Sequence, residues 1–169
     1  MPRRLALLAF TALLLTALAI PQSLATGGYR LQFWLHETQP GHAAVVWTYS
    51  LLVQPDSGTS SIQSGERIPV KTGPDKYEYE RVGRSLSCSI DSRRKDVPAS
   101  SVALQVQVSI SSIAPNSVPL QPVLVSNDSR VVAVVPLGGR ISIAKFDDAA
   151  THAGYELEVQ ATPAGGVSN

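Results

Sequence analysis

The sequence predicts an all-β fold: a single-domain β-sandwich or a strongly curved, mainly antiparallel sheet of about eight strands. Three observations carry this expectation. Apolar residues recur at every second position in segment after segment, which is the period of a half-buried strand. From residue 26 onward no window places apolar residues at helical spacing. Gly, Pro, Asn and Asp punctuate the alternating segments at short intervals, as sandwiches and barrels require.

The first strand is read over Tyr29 to His36, where Tyr29, Leu31, Phe33 and Leu35 alternate with Arg30, Gln32, Trp34 and His36. The second runs from Ala43 to Gln54, with Val45, Trp47, Tyr49, Leu51 and Val53 on one face. Pro40-Gly41 in the intervening linker predicts that the two form a hairpin. After the turn at Pro55-Asp56-Ser57-Gly58, Ser60 to Val70 reads as a strand. Within it Gly65 permits a bulge or close backbone approach, and Pro69, which has no N–H for a ladder, predicts that the strand lies at an edge or ends there. The loop Lys71 to Lys76 leads to a long strand, Tyr77 to Ile90, expected to bend at Gly83.

A polar loop, Asp91 to Ser100, precedes the most regular strand of the chain. There Val102, Leu104, Val106, Val108 and Ile110 alternate with Ala103, Gln105, Gln107, Ser109 and Ser111, so one face is expected in the core and the other in water. Ala114 to Gln121 reads as a connection and Val123 to Val125 as a short strand. Arg130 to Val135 and Arg140 to Phe146 are expected to pair across Pro136-Leu137-Gly138-Gly139. In the last strand Tyr155, Leu157, Val159 and Ala161 alternate with Glu156, Glu158 and Gln160, and residues 163–169 read as a disordered tail.

Residues 1–25 have the pattern of a secretory signal peptide: basic Arg3-Arg4, an uncharged run from Leu5 to Ile20, and small residues at Ser23 and Ala25. The run is shorter than the roughly 20 residues of a spanning helix, and no later segment reaches that length. The expectation is therefore cleavage near Ala25 and an exported domain, residues 26–162, with no integral membrane span, located in the periplasm or outside the cell. Such a location has no ATP or nicotinamide pool to draw on. The only cysteine, Cys88, lies too far from the leader to carry a lipid there.

Charge narrows the class further. The chain has 14 basic and 13 acidic residues, and Arg3 and Arg4 are the leader's only charges, so the remainder is close to neutral and slightly acidic. That balance argues against nucleic acid, whose binding needs a basic face that releases counterions. A lone cysteine makes no internal disulfide. Cys88 alternates with Leu86 and Ile90, which predicts a buried small hydrophobe.

No group of residues has the spacing of a catalytic or metal site, and the sequence assigns no catalytic, cofactor-binding or metal-ligating residue. His36-Glu37 is followed by His42, a spacing unlike the helical His-Glu-x-x-His of zinc peptidases. Asp147, Asp148 and His152 supply ligand types but read as a solvated turn before the last strand. Glu78 with Glu80, and Glu156 with Glu158, have the spacing of adjacent polar positions on a strand face as much as that of a glycosidase pair. No Gly-x-Ser-x-Gly elbow is present. Asn127-Asp128-Ser129 matches an N-glycosylation sequon, and Trp34 on a polar face marks either a binding surface or a covered sheet.

The segment from about Ser60 to Pro163 resembles the β-domain of bacterial secretins, the outer-membrane channels of secretion and pilus systems. The resemblance lies in Ser64-Gly65-Glu66-Arg67-Ile68-Pro69-Val70, in Tyr77-Glu78-Tyr79-Glu80-Arg81-Val82-Gly83-Arg84-Ser85-Leu86, in Val102 to Ile113, and in Ser129 to Val135 before Gly138-Gly139. It implies a secretin-like sheet. It does not imply a pore, because the chain has no room for ring-forming domains and its strands carry Gln, Ser and Arg where a membrane barrel carries lipid-facing bands. The expected function is protein contact with an unknown envelope partner, without enzyme activity or cofactor. The alternatives are a sugar- or peptide-binding module bearing Trp34 and Tyr side chains, and an extracytoplasmic enzyme using His36, His42 or His152.

Overall fold

The computed structural model describes residues 27–114, 117–118, 121–149 and 151–165. The expected leader and residues 166–169 of the expected tail lie outside them. Eight strands follow in order: β1 (Tyr29–Thr38), β2 (Val45–Val53), β3 (Ser60–Lys71), β4 (Tyr77–Ile90), β5 (Ser101–Ile113), β6 (Leu124–Pro136), β7 (Arg140–Asp148) and β8 (Ala153–Pro163). They form two antiparallel four-stranded sheets, ordered β2-β1-β8-β7 and β3-β4-β5-β6. The first sheet joins an N-terminal hairpin to a C-terminal one through β1 and β8, and the second is an uninterrupted meander inserted between them.

One apolar cluster joins the two sheets into a sandwich. From the first come Leu31, Phe33 and Leu35 of β1 and Leu157, Val159 and Ala161 of β8; from the second come Leu86 and Cys88 of β4 and Leu104, Val106 and Val108 of β5. All are buried, and they occupy alternate positions along each strand, as the two-residue period requires. Leu31 packs inward while its register partners Leu51 and Ala161 do the same on either side. Gln107 is exposed where Val106 and Val108 are buried, as the alternation predicts, but Ala103, expected in water, is buried, so both faces are covered at the start of β5.

Two connections differ from the sequence reading. The expected short strand at Val123 and the strand at Arg130 are one continuous strand, β6, with Asn127, Asp128 and Ser129 inside it. These polar residues suit a ladder here because β6 is the last strand of its sheet and pairs with β5 alone. The expected pairing of Arg130–Val135 with Arg140–Phe146 does not form. Leu137 N–H donates to Ser100 O and Gly138 N–H to Ala161 O, both at 2.8 Å, so the chain crosses from one sheet to the other at this corner. β7 then pairs with β8. At the far end β8 includes Thr162 and Pro163, and Ala164 N–H donates to Gly28 O at 3.0 Å, so the strand continues past the expected start of the tail.

β3 pairs with β4 over its whole length, from Tyr77 to Cys88 of β4, but β4 meets β5 only from Gly83 to Ile90. Beyond Gly83 the segments Glu66–Lys71 and Tyr77–Val82 project as a two-stranded arm. Pro69 sits on the edge strand, as expected.

Candidate functional site

Adjacent residues of a strand point to opposite faces, and this separates His36 from Glu37. His36 lies on the outer face of the first sheet, where its Nε2 is 2.6 Å from Glu158 Oε2 and 3.2 Å from Arg140 Nη2. Arg140 Nε donates to the same Glu158 oxygen at 2.9 Å, and its guanidinium stacks over the Trp34 ring at 3.9 Å. The Arg140 hydrogen bonds hold the Glu158 carboxyl below its ordinary range, with a smaller contribution from His36. β1, β8 and β7 each contribute to this cluster, and register places Trp34 opposite Glu158. With Arg140 across its ring, Trp34 does not offer that face as a bare platform for a sugar.

Glu37 points the other way and is buried. It pairs with Arg84 of β4 and accepts from Gln39 Nε2 at 2.8 Å. Arg84 in turn lies over the Trp47 ring at 4.1 Å, so one guanidinium ties β1, β2 and β4 together at the end of the sandwich. Beside it opens a cleft of about 540 Å³ lined by Glu37, Gly65, Gly83, Arg84, Ser112 and Tyr155. The Tyr155 hydroxyl is pushed up by burial, with the Glu37 charge adding to the effect.

The remaining candidates are dispersed. His42 is exposed in the β1–β2 loop. Asp147 and Asp148 end β7, and Asp148, expected in a solvated turn, is buried and accepts from Thr151 N–H at 3.4 Å. His152 is exposed with a left-handed backbone, φ 56°. Among the described residues no three His, Cys, Asp or Glu side chains form a group able to hold a metal ion. Glu156 and Glu158 are each taken up by cations, Lys145 at 3.2 Å and Arg140, while Glu78 and Glu80 are exposed on the arm. Asn127 is half-buried within β6 and donates to Asp147 O at 3.3 Å. Cys88 is buried, and desolvation pushes its thiol up to about 12.

What the structure leaves open is strand edge. β3 and β6 close the second sheet on its two sides, 12 and 13 residues long, and each pairs with a strand on one side only. Among the described residues the exposed large hydrophobics include Tyr77, Tyr79, Ile113, Val123 and Leu124, on the arm and at the corresponding end of β5 and β6, and Val45, Val46 and Leu52 on β2, an edge of the first sheet. The two ion-pair clusters were not legible in the sequence, because each joins strands distant in the chain. Only the placement of Trp34 and His36 on one polar face pointed towards the first of them.

No protein-family model and no curated protein matches the sequence. Solved structures match it in fold, and the fold they share is secretin-like. The chain is similar to the Salmonella type III secretion injectisome secretin InvG, with TM-score 0.59 and 9% identity over 80% of this chain and 64% of that one. It is also similar to the InvG secretin domain β-barrel, TM-score 0.53 and 10% identity, covering 80% and 59%. For the type II secretion system secretin GspD of E. coli K12 the TM-score is 0.50 and the identity 11%, covering 80% and 47%. The chain thus spans about half to just under two thirds of these three secretin chains.

Proposed function

We propose that this protein is an exported, non-enzymatic β-domain that acts by protein contact in the cell envelope, beside a secretion or pilus apparatus. The observation that carries the reading is the pair of long, one-sided edges β3 and β6 on a sheet of secretin-like fold. An unpaired edge presents a row of N–H and C=O groups to a partner strand, so it binds by adding to the sheet. Two acids of the candidate clusters are tied into structural pairs, Glu37–Arg84 and Glu158–Arg140, which supports a structural role for them.

The test is site-specific photocrosslinking in the native envelope. A crosslinker at Gln63 on β3 or Ser126 on β6 is expected to capture one defined partner, while one at Gln32, exposed on central strand β1, captures none. Equal capture from all three positions, or from none, overturns the reading.

A further inference from the structure

We propose that the outer face of the β3–β4 arm docks an extended acidic segment of the partner protein, with carboxylates bridging Arg67 and Arg81. The inference rests on the edge-pairing function above and specifies the chemistry of the partner. Register places Arg67 directly opposite Arg81, followed by Pro69 opposite Tyr79 and Lys71 opposite Tyr77. Strand alternation therefore gathers three cations and two tyrosines on one face, and puts Glu66, Glu78 and Glu80 with Ile68 and Val70 on the other.

Like charges directly opposite across an antiparallel pair destabilise it. Nothing on this arm relieves the Arg67–Arg81 repulsion. Among the described residues Arg67 and Lys71 make no ion pair, and Arg81 donates to the neutral side chain of Gln63. The glutamates lie on the opposite face. A hairpin built for stability alone would mix the signs on each face; this one segregates them, leaving a positive field that an anion satisfies. A carboxylate accepts paired N–H bonds from guanidinium groups. Tyr77 and Tyr79, 46% and 64% exposed, flank the cations and add amphipathic contact area.

The edge position of β3 specifies the form of that anion. A strand laid beside β3 places every second side chain on the basic face, next to Arg67, and the intervening ones on the face of Ile62 and Ile68. The complementary pattern is alternating acid and aliphatic. Pro69 offers no N–H, so ladder bonds to β3 form from Ile68 towards Ser60, and the segment meets Lys71, Tyr77 and Tyr79 through side chains alone.

The probe is a short fluorescent peptide of alternating Glu and Val, compared with a peptide of the same composition in two blocks. Anisotropy at low salt is expected to show the alternating peptide binding about tenfold tighter, and R67A/R81A weakening it by about tenfold or more. Removing a repelling pair should leave the melting temperature unchanged or raised, and Arg67→Glu, which turns repulsion into attraction, should raise it while abolishing binding. Lys145→Ala, on the other sheet, should leave binding unchanged. Equal binding of the two peptides, or binding indifferent to R67A/R81A, overturns the inference. So does Arg-dependent binding to phosphatidylglycerol vesicles in place of the peptide, which would assign the face to a membrane surface. Crosslinks from Gln63 that survive R67A/R81A overturn this inference and leave the edge-pairing function standing; their selective loss supports it.

Discussion

Gly65 and Gly83 are register partners on β3 and β4, and neither position has room for a side chain. A Cβ on Gly65 would lie 2.1 Å from Val82 O, and one on Gly83 would lie 2.2 Å from Ser64 O. Both clashes are with backbone, which has no rotamer to yield. The contact sits where β4 leaves β5, so it sets the root of the projecting arm.

Gly65→Ala and Gly83→Ala should each destabilise the fold by about 1–3 kcal/mol, because the strands must separate to admit a methyl group. Gly73→Ala, whose new Cβ would meet only Lys76 Cβ at 3.5 Å, should change little. Thermal melts of the three variants check this.

Val106→Asp should destabilise by about 4 kcal/mol or more, since Val106 is wholly buried and offers a carboxylate no partner. Gln107→Asp should stay within about 0.5 kcal/mol. It is exposed and sits opposite Arg130, which compensates the new charge. Equal effects in denaturant titrations would refute the register of β5.

The alternation in Val102 to Ile110 was readable because one face meets the core and the other meets water, and hydrophobicity records that difference residue by residue. The destination of the chain after Pro136 was not. Pro-Leu-Gly-Gly signals a turn, but whether the next strand stays in the same sheet depends on bonds to Ser100 and Ala161, far away in sequence. The continuity of β6 through Asn127-Asp128-Ser129 is hidden for a related reason: the low strand propensity of these residues is overridden where an edge strand faces solvent. Glu37 and Arg84 are individually unremarkable charges, and their pairing follows only from how β1 and β4 are stacked.

Glu37→Gln and Arg84→Met should each lower stability by about 2–3 kcal/mol by leaving one member of a largely buried pair alone. The double variant should recover part of that loss. A double-mutant cycle by chemical denaturation measures the coupling.

Acid should weaken the outer cluster. The Glu158 carboxyl is held below its ordinary 4.5, so its contribution is fully present above that pH and is lost as pH falls through the lower, folded-state value. The melting temperature of the native chain should therefore drop below about pH 4.5, and Glu158→Gln should flatten that drop. An unchanged acid limb in the variant would remove Glu158 from the account.

Cys88 should resist alkylation in the native state. With its thiol pushed up to about 12 by burial, almost no thiolate exists at about pH 8, and reagent has no path to it. Labelling should follow the rate of global unfolding. Rapid native labelling would show that β4 opens locally.

The pairing of β1 with β8 brings opposite ends of the described chain into one ladder, with the contact between His36 and Glu158 spanning 122 positions. Closing so long a loop comes late, because its entropy is lost before any contact rewards it. The central meander from Ser60 to Pro136 forms from neighbouring hairpins and can assemble first, exposing the apolar face that later meets Phe33 and Leu157. A chain emerging from its N-terminus thus carries β1 without its central partner until the last strand appears. Completion of the core therefore waits on β8, the last of the described strands to be synthesised.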